Sequence, residues 1–291
     1  MARWMIGDIG VDRIEEIEGP LFRPQDVFPD YDSEVLNKHW DDLVPRYFDP
    51  DLGLVVGTVQ SYVIRFGSHN ILVDTCCGND KQRPMEPPFH NLHTPYLQRL
   101  NTLGLQVEDI HFVLCTHLHV DHVGWNTRLD NGRWVPTFPN ATHIFTQAEL
   151  DYLIGIYRAN PPNNGHGAHY ADSIEPIIAS RRVRLLTHPE PLIPGLDIEF
   201  APGHTPGHVL LRARSQGEAG LFIGDVVQHP FQVYRPDWNS AFCVSPEQSR
   251  ATRRRVLGEC AEDDSLVFPA HFANPYAVKI RRFEDAFALR A

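Results

Sequence analysis

The chain has 291 residues, of which 42% are hydrophobic and 22% charged, so it can bury a sizeable core and has the composition of an ordinary globular protein. Its formal net charge of -11 argues against a nucleic-acid backbone as partner, because binding phosphates requires a basic surface. Its five cysteines show no CxxC spacing, which favours reduced thiols, and no window approaches the roughly 20 apolar residues of a membrane span. We therefore expect a cytoplasmic protein with no signal peptide and no membrane partner.

The first 75 residues predict strands around a long connecting segment. Residues 5–18 are expected to form an opening strand. The stretch 20–53 is rich in Pro, Asp and aromatic residues and is expected to be a lid-like loop with one short helix near Asp32–Val44. Val59–Ile64 and Asn70–Asp74 then predict the two strands of a hairpin around a turn that contains glycine.

The middle of the chain combines helices with buried strands. Residues 93–105 have helical spacing and end at a glycine. Ile110–Cys115 is a short apolar run that predicts a buried strand. Ala141–Thr146 predicts another strand, followed by a helix that begins with Gln147–Ile154. The stretch 156–182 is rich in Pro, Gly, Asn and His and is expected to be a surface insertion loop.

The last third of the chain is predicted to consist mainly of strands. One clear helix, Pro246–Cys260, follows Ser245 as its N-cap, and Arg281–Arg290 is expected to be a closing helix. The predicted strands are Val183–Leu186, Leu196–Ala201, Val209–Ala213, Gly220–Ile223 and Leu266–Pro269. No repeat is visible in the sequence, so we expect one domain over residues 1–291, built from two packed sheets with helices outside them.

A dense group of possible metal ligands directly follows the strand predicted at Ile110–Cys115. His117 and His119 alternate along an extended segment, so their side chains project in the same direction and can face one metal ion. The chain is then expected to turn into a helix at Asp121 and His122, which directs a carboxylate and an imidazole to a neighbouring position. Neutral imidazoles and carboxylates suit zinc or a similar ion, whereas a polar loop with chance histidines would not require this spacing.

Three later residues have chemistry that suits the same site. His204 lies in a loop with two prolines and two glycines, which would hold a ligand rigidly, and His208 is expected to be its structural neighbour. Asp225 follows an apolar strand and a glycine, and His271 follows another apolar strand. Taken singly, each of the three has an ordinary alternative as a turn histidine, a turn aspartate or a core histidine.

Together these motifs resemble, in order, the signature of the metallo-β-lactamase superfamily. The resemblance runs from about residue 59 to 272 and includes Ala201–His208, Phe222–Asp225 and Pro269–His271. It implies an α/β fold in which an αββα sandwich of two mixed sheets, flanked by helices, carries one or two metals at the edge between the sheets. It also implies that one metal is bound by His117, His119 and His204, the second by Asp121, His122 and His271, and that Asp225 bridges both.

The resemblance further implies a reaction. Two metals ~3.5–4 Å apart share a hydroxide that attacks a small ester-like bond in a lactone, carboxylic ester or phosphotriester. Zinc is the expected metal, with manganese, iron or cobalt as alternatives. Asp121 is assigned to catalysis as well as to metal binding, and Asp74 resembles the buried aspartate that orients a ligand histidine. The implied partner is a small-molecule substrate, and the implied assembly is a homodimer.

The spacing of the ligands is most similar to the branch of methyl parathion hydrolases and N-acyl homoserine lactone lactonases. The lactonases place a catalytic tyrosine three residues after the bridging aspartate, where this chain has Gln228, although Tyr234 could reach the site from the same loop. This loop is expected to form a wall of the substrate pocket, with His229 as proton donor or, alternatively, as a surface histidine. An aromatic lining is expected from Trp125, Phe231 and Trp238, each of which could instead belong to the core.

Other functions fit the same residues. A mononuclear iron dioxygenase, similar to the persulfide dioxygenases, would leave Asp121, His122 and His271 outside the metal site. An enzyme similar to glyoxalase II would hydrolyse thioesters. A metal-stabilised binding module would carry the same ligands without catalysis. Metal content with oxygen uptake distinguishes the dioxygenase, and a panel of hydrolysable substrates distinguishes the binding module.

Overall fold

The computed structural model describes residues 3–160 and 167–290. The chain divides into two compact units. Unit 1 comprises Met1–Glu16 and Val59–His188, and unit 2 comprises Ile17–Thr58 and Pro189–Ala291. The single domain expected for residues 1–291 stays a prediction.

Strands make up much of the described chain and are numbered here in chain order. They are β1 (Trp4–Ile6), β2 (Ile9–Phe22), β3 (Phe48–Asp49), β4 (Leu54–Phe66), β5 (His69–Val73), β6 (Phe112–Leu114), β7 (Thr127–Asp130), β8 (Arg133–Pro136), β9 (Thr142–Thr146), β10 (Val183–Leu186), β11 (Glu190–Ile193), β12 (Leu196–Phe200), β13 (Val209–Ser215), β14 (Glu218–Gly224), β15 (Leu266–Pro269), β16 (Lys279–Phe283) and β17 (Ala286–Arg290).

The helices are mostly short. They are α1 (Pro24–Val27), α2 (Ser33–Lys38), α3 (Trp40–Leu43), α4 (Tyr96–Thr102), α5 (Gln147–Ala159), α6 (Glu175–Ala179), α7 (Phe231–Tyr234) and α8 (Pro246–Asp263). Single turns of 3-10 helix occupy Pro87–Phe89, Val107–Asp109 and Gly124–Asn126, and Tyr170–Ile174 is a π-helix. Across the described residues, the helices lack the length and apolar character needed to cross a membrane.

Parallel strands in the first sheet bring several loops to one edge. Its order is β1-β2-β4-β5-β6-β9-β10, and β3 pairs with β4. The pairs β5–β6 and β6–β9 are parallel, with Val73 opposite Leu114 and Leu114 opposite Ile144. The strand interiors are fully buried, which explains their near-continuous apolar sequences. Because neighbouring parallel strands end at the same edge, the residues that follow β5, β6 and β9 come close together.

The second sheet brings two further loops together in unit 2. Its order is β11-β12-β13-β14-β15. Strands β14 and β15 run in parallel, with Phe222 opposite Phe268 and Gly224 opposite Pro269. The chain therefore leaves these two strands at the same edge, towards Asp225 and His271.

Helix α8 braces the long loop that follows β14. It begins at Pro246 as predicted, although Ser245, its N-cap residue, makes no side-chain capping bond. The buried side chain of Arg253 donates to the backbone oxygens of Val226 at 2.9 Å and of Pro236 and Trp238 at 2.8 Å. Three carbonyl acceptors on one guanidinium hold this loop in a single conformation.

The prediction of a closing helix at Arg281–Arg290 is wrong. The segment forms the antiparallel hairpin of β16 and β17, in which Lys279 pairs with Arg290 and Phe283 with Ala286. Its turn contains Glu284, which has a φ of 51°. Arg, Glu, Ala and Leu favour helices in isolation, but burial of Ile280 in the core of unit 2 decides in favour of strands.

Other expectations also need correction. Residues 5–18 form two strands rather than one, because the chain turns at Gly7, which has a φ of 56°. In 20–53, the helix expected near Asp32–Val44 is divided into α2 and α3 at His39. The lid function of this stretch stays a prediction.

The predicted insertion loop 156–182 is largely helical where the structure describes it. It contains the end of α5, the π-helix and α6, and Ile174 and Ile177 are fully buried. Residues 161–166 of this stretch lie outside the described residues. The hairpin of β7 and β8 was missed, because its sequence lacks apolar alternation.

Candidate metal centre

Asp74 is the centre of a hydrogen-bond network directly after β5. It is buried and has a φ of 59°, in the left-handed region that aspartate tolerates better than most side chains. Its Oδ1 accepts a bond from the backbone N–H of Thr116 at 2.7 Å, and its Oδ2 lies 2.9 Å from His122 Nδ1. Because a carboxylate accepts, His122 carries a proton on Nδ1, and Nε2 is the ring atom suited to bind a metal. The orienting contact expected of Asp74 is therefore present.

The histidines of the first motif lie against one another in unit 1. The ring centroids of His117 and His122 are 4.0 Å apart, and those of His117 and His119 are 4.6 Å apart. Ligand atoms of His117 and His119 lie within 4.8 Å of each other, and so do those of Asp121 and His122. The α-helix expected at Asp121 does not form, because the chain makes a turn followed by the 3-10 turn Gly124–Asn126. The turn still brings the four side chains together in the predicted pairs.

A glycine contact joins the loop after β5 to the loop after the histidine motif. A side chain on Gly124 would place its Cβ 1.7 Å from the backbone oxygen of Cys77. Without that side chain, Gly124 N donates to Cys76 O at 2.7 Å and Trp125 N donates to Thr75 O at 2.8 Å. The two loops are thereby fixed to each other through their backbones.

Asp225 presents its two carboxylate oxygens to two different histidines within unit 2. Its Oδ2 lies 3.3 Å from His204 Nε2, and its Oδ1 lies 3.0 Å from His271 Nε2. His271 Nδ1 lies 2.9 Å from the backbone oxygen of Thr58, which can only accept, so the proton of that ring is on Nδ1. Nε2 is then the atom of His271 suited to bind a metal.

Further side chains hold Asp225 in place. Its backbone N–H donates to His208 Nε2 at 3.1 Å, in keeping with the structural role expected of His208. Gln228 Nε2 donates to Asp225 Oδ2 at 2.7 Å. On the other side of the loop, Cys243 Sγ lies 3.7 Å from His204 Nδ1. The carboxylate and its neighbouring histidine are therefore fixed by contacts within unit 2.

The donor set of each unit fits zinc. Two ligands of a tetrahedral zinc ion with bonds of 2.0–2.1 Å are about 3.3 Å apart, the separation of His204 Nε2 from Asp225 Oδ2. In both His122 and His271, a hydrogen-bond acceptor holds Nδ1 and leaves Nε2 as the coordinating atom. Buried imidazoles and a carboxylate oriented in this way are suitable ligands for a divalent ion.

His229, predicted as a proton donor, is held by backbone groups in the structure, and its proton-donor role stays a prediction. His229 is buried, its Nε2 donates to the backbone oxygen of Tyr47 at 2.8 Å, and its Nδ1 accepts from Phe231 N at 3.2 Å. Burial lowers the pKa of His229 to about 4, so the ring is neutral at pH 7. Both ring nitrogens bond to backbone groups, and His229 supports the loop.

The aromatic residues expected to line a pocket are core residues. Phe231, Tyr234 and Trp238 belong to the hydrophobic core of unit 2, and the Tyr234 hydroxyl donates to Asp42 Oδ2 at 3.0 Å. Trp125 is buried in unit 1, where its ring stacks on Tyr96 with centroids 5.1 Å apart. Their sequence pattern could not separate pocket from core, because both environments favour large apolar side chains. Of the five predicted pocket residues, Gln228 alone contacts a proposed ligand.

Sequence reasoning missed Glu16, a buried carboxylate that holds the loops of unit 1. It accepts bonds from Cys77 N and Trp125 Nε1, both at 2.6 Å, and from Thr94 Oγ1 at 3.0 Å. Burial raises the pKa of Glu16, while these donors act in the opposite direction. Sequence reasoning also missed Glu149 and His169, because no local motif connects them with His117 and His119. The spacing Thr146-x-x-Glu149 indicates a helix start and nothing more.

Comparisons with known proteins match the part of the chain that contains the proposed ligands. A model of the metallo-beta-lactamase superfamily matches residues 54–271. The N-acyl homoserine lactonase AttM of Rhizobium radiobacter is 30% identical over 186 residues, which cover 62% of this chain and 65% of that protein. An N-acyl homoserine lactonase of Bacillus cereus is 25% identical over 126 residues, which cover 43% of this chain and 40% of that protein. The matches thus span less than two thirds of the length of these curated relatives.

Solved structures show the same fold. The structure of AidC, described as a dizinc quorum-quenching lactonase in complex with a product, is 18% identical in sequence with a TM-score of 0.82. The likeness covers 99% of this chain and 96% of that chain. At this level of identity it shows the fold, and it confirms the predicted α/β class.

Proposed function

The chain belongs to the metallo-beta-lactamase superfamily, and on this basis we propose that it is a hydrolase that uses two divalent metal ions. The observation that carries the proposal is the arrangement around Asp225. One of its oxygens lies beside His204 and the other beside His271, the histidines assigned to different metals. A carboxylate held in this way is suited to bridge two ions.

We assign the metal ligands in two sets. The first ion would be bound by His117, His119 and His204, the second by Asp121, His122 and His271, and Asp225 would contact both. Zinc is the proposed metal, since the ligand atoms fit its chemistry and AidC is described as a dizinc enzyme. When bound, the two ions supply a water of lowered pKa and polarise the substrate oxygen.

The protein's own residues contribute orientation. Asp74 fixes the ring of His122, the backbone of Thr58 fixes that of His271, and Gln228 restrains Asp225. Side chains locked by such contacts reach the geometry needed for catalysis without reorganisation during the reaction. Asp121 is proposed as a ligand that also takes part in catalysis.

We propose a small ester-like bond as the substrate: a lactone, a carboxylic ester or a phosphotriester. The names of the relatives, N-acyl homoserine lactonases, support the lactone. Gln228 stands where the lactonases place tyrosine, so a lactone is not favoured over an ester with a better leaving group. A cytoplasmic location and a homodimer stay predictions from the sequence.

Metal analysis combined with a substrate panel tests the function. We expect two zinc ions per chain and hydrolysis of at least one of a lactone, an aryl ester and a phosphotriester. Chelation should abolish the activity, and added zinc should restore it. Full activity after complete metal removal would overturn the proposal, as would one iron per chain combined with oxygen uptake.

A pair of matched variants tests the role proposed for Asp225. Asp225→Asn removes the charge assigned to both ions and should lower kcat/KM by about 100-fold or more and reduce the bound metal. Asp237→Asn makes the same change at an exposed aspartate paired with Arg254, and it should leave both quantities unchanged. Equal effects of the two variants would contradict the role of Asp225.

A further inference from the structure

The backbone of Leu118 joins the two histidines of the His117-x-His119 pair through one peptide group on each side. Glu149 Oε2 accepts a bond from its N–H at 3.1 Å. His169 Nε2 donates to its carbonyl oxygen at 2.8 Å. Both the N–H and the C=O of this one residue are therefore bonded to side chains from distant parts of unit 1.

The fold explains how Glu149 reaches this position. Strand β9 runs parallel to β6, and α5 follows β9 directly, so its first turn lies beside the residues that follow β6. Thr146 caps the helix by accepting a bond from the backbone N–H of Glu149 at 3.1 Å. Glu149 is almost fully buried, at 2% exposure, where little water competes for its hydrogen bonds.

His169 supports the second peptide group, the one that joins Leu118 to His119. It directly precedes the π-helix Tyr170–Ile174, whose Ile174 is fully buried and anchors the segment. A carbonyl oxygen can only accept, so the contact with Leu118 requires a proton on His169 Nε2. The contact is therefore specific to one tautomer of the ring.

Control of the Leu118 backbone also controls the histidines on either side. The N–H of Leu118 belongs to the peptide group shared with His117, and its C=O belongs to the peptide group shared with His119. The orientations of these two planar groups set the directions in which the side chains of His117 and His119 leave the backbone. A rotation of either group would change the separation of the two imidazoles, whose centroids are 4.6 Å apart.

We propose that Glu149 and His169 are positioning residues that clamp the two peptide groups on either side of Leu118 and so aim His117 and His119 at one metal ion. This inference rests on the proposed function, because it assumes that both histidines are ligands. Contacts of this kind around a metal site typically change metal affinity by 10–100-fold when they are removed.

Zinc release from the loaded protein tests the clamp at Glu149. The zinc-loaded chain is titrated with a chelator, and zinc release and thermal unfolding are followed. Glu149→Leu removes the acceptor and should release one zinc at a chelator concentration about 10–100-fold lower. Glu149→Gln keeps an acceptor oxygen and should stay within about threefold of the unmodified protein.

Thr146→Ala is the control for helix stability. It removes the cap of α5 while leaving Glu149 in place, so it should lower the unfolding temperature without a change in zinc release. If Thr146→Ala and Glu149→Leu release zinc equally easily, Glu149 has only a structural role and the inference is wrong.

A second pair of variants tests the other side of the clamp. His169→Leu removes the donor to Leu118 and should promote release of the same zinc, whereas His169→Gln retains an N–H donor and should restore retention at least in part. This pair decides the question if Glu149→Leu does not fold. Retention equal to that of the unmodified protein in His169→Leu would overturn the clamp.

The two proposals fail in different ways. An unmodified protein that binds no zinc would overturn the proposed function. An unmodified protein that holds two zinc ions, with unaltered retention in Glu149→Leu and His169→Leu, would overturn the clamp alone.

Discussion

Asp74 and Asp225 act in the same physical way on different units of the chain. Each is buried directly after a strand, and each carboxylate meets an imidazole nitrogen at hydrogen-bond distance or slightly beyond. Burial makes such contacts strong, since little water competes for the partners. At the scale of single residues, orientation of the rings is thus the main contribution of the protein.

We expect Gln228 to influence which of the possible substrates is hydrolysed. Its amide contacts Asp225 Oδ2, and an amide cannot donate a proton to a leaving group as an acid can. The lactonase branch, by resemblance, has tyrosine here. We expect Gln228→Tyr to raise the rate on a lactone relative to an aryl ester by about 10-fold or more, as measured by the ratio of the two kcat/KM values.

Gln228→Phe is the matched control for that change, because it adds the same ring without the hydroxyl. It should leave the ratio near that of the unmodified protein. If Phe and Tyr shift the ratio equally, shape rather than a phenolic proton explains the effect.

Two glycines of unit 1 have very different surroundings. Gly124 lies in a backbone contact where a Cβ would be 1.7 Å from Cys77 O, whereas Gly155 lies inside α5 with no atom within 4 Å of the position of an added Cβ. We expect Gly124→Ala to destabilise the protein by about 3 kcal/mol or more and to lower the metal content, because the two loops must separate.

Gly155→Ala is the control for that substitution in the same unit. It should stabilise the protein by about 0.5–1 kcal/mol, because alanine loses less conformational freedom in a helix. Denaturant unfolding measures both variants. A destabilisation of similar size in each would show that the contact at Gly124 has no special importance.

Elements were predicted well where their signal is local. Strands β10 and β15 have the predicted bounds, and α8 begins at the predicted Pro246. The closing hairpin of β16 and β17 was not predicted, because its helix-favouring composition is overridden by packing in unit 2. The turn at Asp121 replaced a predicted helix for a similar reason, since backbone bonds to the loop after β5 decide its shape.

Buried histidines make the stability of the whole molecule sensitive to acid. Burial lowers the pKa of His143 to about 3 and the pKa values of His169 and His229 to about 4, whereas an unfolded histidine titrates near 6.5. Between these values the unfolded chain binds protons that the folded chain does not. The contribution of these histidines to the free energy of unfolding is therefore fully present above about pH 6.5 and is lost as the pH falls towards 4.

The variant His143→Leu tests this dependence. The free energy of unfolding is measured between pH 6.5 and 4.5, after chelation so that metal release does not contribute. Each such histidine adds up to about 1.4 kcal/mol per pH unit to the slope, and the variant should lose one such contribution. An unchanged slope in the variant would show that His143 is already protonated in the folded protein.

By itself the sequence determined the types of the proposed ligands and their order along the chain. His117, His119, His204 and Asp225 could be singled out as candidates because strand alternation, turn composition and ligand chemistry are local properties. The α/β class followed from the same patterns and from the resemblance they carry.

Only the tertiary structure decided which side chains support those proposed ligands. Glu149 and His169 meet at Leu118, and both ring nitrogens of His229 meet backbone groups, one of them from Tyr47 far earlier in the chain. Such contacts join residues that are distant in sequence, and a buried carboxylate or imidazole has no local pattern that distinguishes a support from a catalyst. Burial and hydrogen-bond geometry make that distinction, and both arise only when the chain folds.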